Sequence, residues 1–139
     1  MSDSAAPARL PDRGPRTAAA GNEEMGIRMW LVTDRGFYSV VDKGDREGYL
    51  CVRGRVRQDI DNLFELDSLA GYAGDVIETD NSDYRYRVYV KRGDWVRAAA
   101  DLAQGIEYDN FKSEVERVQG HDRARTYMKV WSALFGLQR

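Results

Sequence analysis

Two stretches of the chain place arginine at every second position. In Val52-Arg53-Gly54-Arg55-Val56-Arg57, arginines 53, 55 and 57 share one side of an extended strand, and Val52, Gly54 and Val56 share the other. In Asp83-Tyr84-Arg85-Tyr86-Arg87-Val88-Tyr89-Val90, the alternation puts Tyr84, Tyr86, Val88 and Val90 on one face. Arg85, Arg87 and Tyr89 fall on the other. Guanidinium forks hold phosphate or carboxylate through two hydrogen bonds, and an aromatic ring beside them can stack a base. Arg53, Arg55, Arg57, Arg85, Arg87 and Tyr89 are therefore the candidate binding set. The plainer reading is a pair of amphipathic strands whose arginines line a solvated face, their stems covering apolar surface. The choice turns on whether the two basic faces align, and a one-residue slip in register would invert either strand.

Carboxylates offer the other chemistry. Glu78, Asp80 and Asp83 cluster around a turn and could hold a divalent cation or act as general acid and base. This is the basis of an alternative reading as a carboxylate-dependent, metal-assisted hydrolase. The competing reading is an Asp/Asn-rich turn facing water. The remaining catalytic vocabulary is thin. His121 is the single histidine and Cys51 the single cysteine, so no Cys/His metal set can form within the chain. There is neither a Walker motif nor a dinucleotide fingerprint. No catalytic residue, cofactor or bound metal is expected.

Charge narrows the partners. Twenty-one Lys and Arg oppose 23 Asp and Glu, a formal net charge of −2. A protein that binds nucleic acid by total charge would be more basic, so only a local patch could serve phosphates. No apolar run approaches the ~20 residues of a membrane-spanning helix. The N-terminal region has no apolar core of a secretory signal. Cys51 lies in an apolar run and reads as a buried thiol, and a cytoplasmic location is expected.

The elements that must position these residues follow from periodicity. Residues 1–25 hold all three prolines with Ala, Gly and balanced charge, and are expected to form a disordered extension. Residues 26–139 then form a single α+β domain, with order beginning at Met29. Runs at 29–33, 37–41 and 49–56, separated by Gly-containing loops, predict an antiparallel meander. Ile60, Leu63 and Phe64 predict a short helix, and residues 76–78 a short strand before the Tyr84–Val90 strand. Three helices are expected to follow. Their apolar stripes are Trp95, Ala99, Leu102, Ala103 and Ile106; then Phe111, Val115 and Val118; then Tyr127, Val130, Trp131 and Leu134. The expected architecture is an antiparallel sheet, meander plus later strands, with helices packed on one face and a helical C-terminal part.

Several local runs together carry a resemblance. They are Met29-Trp30 with Thr33, Gly36-Phe37-Tyr38-Ser39-Val40-Val41, the 52–57 run with Asp59, Asp83-Tyr84-Arg85-Tyr86-Arg87, Tyr108 with Asn110-Phe111-Lys112, and Tyr127 with Trp131. From Met29 onward the chain resembles a family of small uncharacterised bacterial proteins with no assigned activity. The resemblance implies the Met29 boundary and no catalytic residue. The function expected from the residues is a non-enzymatic interaction or regulatory domain. It would bind a protein partner, or a second copy of itself, through the Arg/Tyr-rich sheet face. Weak single-stranded nucleic-acid binding on the same face is the alternative.

Overall fold

Three strands open the computed structural model, which describes residues 28–138: β1 (Arg28–Val32), β2 (Phe37–Val41) and β3 (Tyr49–Gly54). The extension expected over residues 1–25 lies outside the described residues. Helix α1 (Arg57–Leu63), a 3-10 turn (Ala70–Asp75), and strands β4 (Ile77–Glu78) and β5 (Tyr86–Lys91) follow. Helices α2 (Arg92–Gln104), α3 (Phe111–Gln119) and α4 (His121–Phe135) and a second 3-10 turn (Gly136–Gln138) come last among the described residues. The five strands form one antiparallel sheet in the order β1-β2-β3-β5-β4. The fold is α+β, as the pattern of elements predicts.

Strand β5 inserts between β3 and β4, which makes β3 and β5 inner strands, paired on both sides. That position suits their sequences, because Leu50 and Val52 of β3 and Val88 and Val90 of β5 alternate onto one face. Register aligns Val40 with Val52 and Val52 with Val88, and Leu50 with Val90. On this face α1 delivers Ile60 and Leu63, and α2 delivers Trp95 and Ala98, all buried. Removing such a side chain from water contributes roughly 1.5–3 kcal/mol each.

The β1–β2 turn is built around a buried carboxylate. Asp59 of α1 is almost fully enclosed and accepts the Phe37 amide at 3.0 Å and the Arg123 guanidinium of α4 at 2.9 Å. The Tyr38 hydroxyl donates to the Asp59 carbonyl at 2.7 Å. Gly36 leaves room for this carboxyl, since an added Cβ would collide with it. One acid thereby ties the hairpin, α1 and α4 together. The α3–α4 hairpin packs through Val115, Ala124 and Tyr127 against Val32 and Phe37. Asn110 caps α3, its side-chain oxygen accepting the Ser113 amide at 2.9 Å.

Several expectations need correction. Strand β5 starts at Tyr86, two residues late, because the chain bends through 80–85 with Asn81 in the left-handed region at φ 63°. In α2 the buried small residue is Ala98, while Ala103 and Ile106 are exposed. In α3 Val118 is exposed, and in α4 only Tyr127 of the expected stripe is buried. Helix α4 spans 15 residues against 9 in α3, so its C-terminal turns outrun their partner and leave Val130, Trp131 and Leu134 exposed.

Candidate functional site

The face opposite the apolar core carries the arginines. Arg53 on β3 lies directly across from Arg87 on β5, and Arg53 is also paired with Ser39 on β2. The same cross-strand row continues to Trp30 on β1 and Ile77 on β4. The two basic strands are therefore neighbours with their basic faces aligned, which alternation alone left open.

Arg55 and Arg87 are held by neutral groups, and Arg53 bonds a neighbouring hydroxyl. Arg53 Nη2 donates to Ser39 Oγ at 2.8 Å. Arg87 Nη2 donates to Ser82 Oγ at 2.8 Å and to the Tyr84 carbonyl at 3.2 Å. Arg55 Nε donates to the Asp83 carbonyl at 3.0 Å. Arg87 Nε is buried and bonds nothing among the described residues. Within that set neither Arg55 nor Arg87 has a carboxylate at ion-pair distance.

Tyr84 belongs to this side and not to the apolar face that simple alternation assigns it. The bend before β5 swings its ring in among the arginines, with the Arg53 and Arg55 guanidiniums each 4.5 Å from its centroid. Tyr84 is 6% exposed, so it serves as a cushion for two cations. Phe37 extends the cushion, 6.5 Å from Tyr84, and Trp30 meets Phe37 edge-on at 5.5 Å.

The other sequence candidates separate from this cluster. Arg57 opens α1 and pairs with Asp61 at 3.0 Å, one helical turn on. Arg85 is exposed and neutralised by Glu78 at 2.7 Å and Asp80 at 3.4 Å. Tyr89 shares the face, but its ring is covered by the Arg46 guanidinium at 4.4 Å and its hydroxyl donates to Asp45 at 2.7 Å. Burial, helped by that bond, holds the Tyr89 hydroxyl above its ordinary range. Tyr89 is thus poorly placed to stack a base. Cys51 sits in register with Tyr89, is 1% exposed, and burial pushes its thiol up.

The carboxylate set offers no metal centre. Glu78 and Asp80 both serve Arg85, and Asp83 contributes its carbonyl to Arg55. Among the described residues no three His, Cys, Asp or Glu side chains are grouped to hold an ion. His121 opens α4 in the open, its Nδ1 2.9 Å from Glu116. A polar cleft of about 670 Å³ lies against Asp59, Glu114 and Arg123, and each of its three arginines is already paired with a carboxylate. Asp59 pairs with Arg123, Glu114 with Arg117 at 2.7 Å, and Arg35 with Glu65 at 3.2 Å. No helix of the described residues is long and apolar enough to cross a membrane.

Trp30 is the residue that the candidate set omitted. It is 64% exposed, on the arginine face, in the Arg53–Arg87 row. Its place in β1 gives its alternation, but only the β1–β2 pairing brings it beside the arginines. No family model, curated protein or solved structure matches the chain, so a reading of function rests on the geometry of the site.

Proposed function

We propose that this chain is a non-enzymatic interaction domain that takes an anionic partner on the Arg53–Arg55–Arg87 face. The observation that carries the reading is the cross-strand arginine pair of β3 and β5. Like charges directly opposite each other destabilise a sheet, and nearby carboxylates ordinarily offset them. Here Glu78 and Asp80 are committed to Arg85 and Asp59 to Arg123, and no carboxylate of the described residues lies at ion-pair distance from Arg55 or Arg87. Arg55 and Arg87 are bonded to a hydroxyl and to carbonyls, which leaves their charge available to a ligand. Tyr84 and Phe37 hold the guanidiniums in place, so little side-chain freedom is lost on binding.

The test is a titration with inorganic phosphate and with sulfate at constant ionic strength, followed by backbone and arginine side-chain NMR. The expected result is saturable shifts centred on residues 39, 53, 55, 82 and 87, lost in Arg87→Gln. Shifts scattered over all exposed cations, or none, would remove the reading.

A further inference from the structure

Resting on that reading of the arginine face, we infer that its partner is a single-stranded nucleic acid. Arg53, Arg55 and Arg87 would hold phosphates, and Trp30, rather than Tyr89, would stack a base. The row Trp30, Ser39, Arg53, Arg87 crosses four neighbouring strands, and paired residues on a sheet project to the same side. Neighbouring strands lie about 4.8 Å apart, so Trp30 and Arg53 are roughly 10 Å apart at the backbone. Arginine and tryptophan side chains are long enough to close much of that interval. An aromatic plane followed by cations along one line matches a strand that alternates bases with phosphates.

Trp30 is suited to this role. The residue is 64% exposed, yet the edge-on contact with Phe37 at 5.5 Å limits the motion of its ring. Phe37 in turn touches Tyr84 and lies under the Arg55 guanidinium, so stacking residue and phosphate residues share one aromatic support. The Ser82 hydroxyl accepts from Arg87, which leaves its proton free to donate to a phosphate oxygen, while the buried Ser39 hydroxyl accepts from Arg53 and fixes its position. An acidic peptide would use the guanidiniums but has no need of an exposed indole in line with them. The net charge of −2 sets the scale: binding comes from local contacts only. With three phosphates neutralised, log K should fall with log salt at a slope of about −2, at 0.7 per phosphate for single strands.

The experiment is fluorescence anisotropy of the full chain with labelled oligothymidylate and oligouridylate of about ten nucleotides, within the site sizes of such faces. Labelled poly-glutamate serves as the comparison anion, all at ~50 mM salt. The expected result is a dissociation constant of roughly 10⁻⁶–10⁻⁴ M for the oligonucleotides, the range of sequence-independent contacts. Trp30→Ala should weaken it by about 5- to 150-fold, the loss of one stacked base. Arg87→Gln should abolish the salt dependence in part and weaken both probes. If Arg87→Gln fails to fold, Arg55→Gln, at an exposed position, carries the same test. Trp131→Ala, at an exposed tryptophan on α4, should change nothing. Oligonucleotide binding that Trp30→Ala leaves intact would overturn the inference, as would binding of poly-glutamate alone. Either result leaves the anionic-partner reading standing. Failure to bind every probe removes both.

Discussion

The two faces of the sheet share the same strands and differ in almost everything else. On one face Val40, Val52 and Val88 meet in register under Ile60, Leu63 and Trp95, and every one of these is buried. On the other, the residues one step along each strand are Ser39, Arg53 and Arg87. The first face gains its stability from dispersion and dehydration, which have no direction and tolerate no charge. The second also contains buried positions, Ser39 at 0% and Cys51 at 1%, yet it places two cations opposite each other beside them. Folding alone does not call for that arrangement, and a sheet can hold it because the other face is apolar throughout. The larger core lies on one side of the backbone, and the arginine row lies on the other, beside the smaller cluster that Val32 and Phe37 form with the α3–α4 hairpin.

Leu63→Ala should break the comparison most severely. Leu63 is fully enclosed between α1 and the sheet. The cost expected is about 2–5 kcal/mol, read as a lower urea midpoint. A loss below ~1 kcal/mol would mean that the apolar face is loosely packed.

Gly36→Ala comes next, since it tests the seam where the hairpin, α1 and α4 meet. The new Cβ would press on the Asp59 carboxyl and displace it from Phe37 and Arg123. Overpacking of this kind costs about 1–3 kcal/mol. A double variant with Asp59→Ala should cost less than the sum of the two single changes, because both act on the same contact. Strict additivity would refute the collision.

Arg87→Gln should shift stability by no more than about 1 kcal/mol, the scale of one cross-strand pair. Its signature is ionic strength. Salt screens the Arg53–Arg87 repulsion, so raising sodium chloride from ~0.05 to ~0.5 M should stabilise wild type more than the variant. Equal responses in urea melts would show that the pair carries no repulsion.

Asp34→Asn should give the smallest effect. Burial holds the Asp34 carboxyl above its ordinary range, and a hydrogen bond and charge from Glu114 add to this. An acid whose pKa rises on folding costs nothing below the unfolded value, near 3.9, and costs its full amount once the pH passes the folded value. Removing it should therefore stabilise the protein at neutral pH by under ~0.5 kcal/mol, since the site is open to solvent. The gain should disappear on acidification. A gain that persists at pH 3 would assign it to something other than the carboxyl.

Alternation was enough to separate apolar from basic faces within β3 and β5, because period-two patterning is a local property, but it did not carry to Arg55, Val56 and Arg57, which lie beyond the end of β3, with Arg57 on α1. Cross-strand register is not local, and it alone brings Arg53 opposite Arg87 and Trp30 into their row. Tyr84 was misplaced by the same logic. It sits in a bend where the strand period does not yet apply, and the Arg87 bond to its carbonyl helps hold that bend. The α4 stripe shows the opposite limit. Tyr127, Val130, Trp131 and Leu134 do recur at helical spacing, but periodicity says only that a face is apolar. Whether something lies against it depends on the length of α3.

Cys51 gives the arginine face a clock. It is the chain's single thiol, lies two residues from Arg53 on the same strand face, and is 1% exposed with burial holding it in the thiol form. Only the thiolate alkylates, so modification must wait until the strands around it open. With reclosing faster than the reagent, the labelling rate reports the opening equilibrium directly, as amide exchange does. A ligand bridging Arg53 and Arg87 would have to leave before that opening. The fold-slowing of alkylation at saturation would then read its affinity without any label on the ligand.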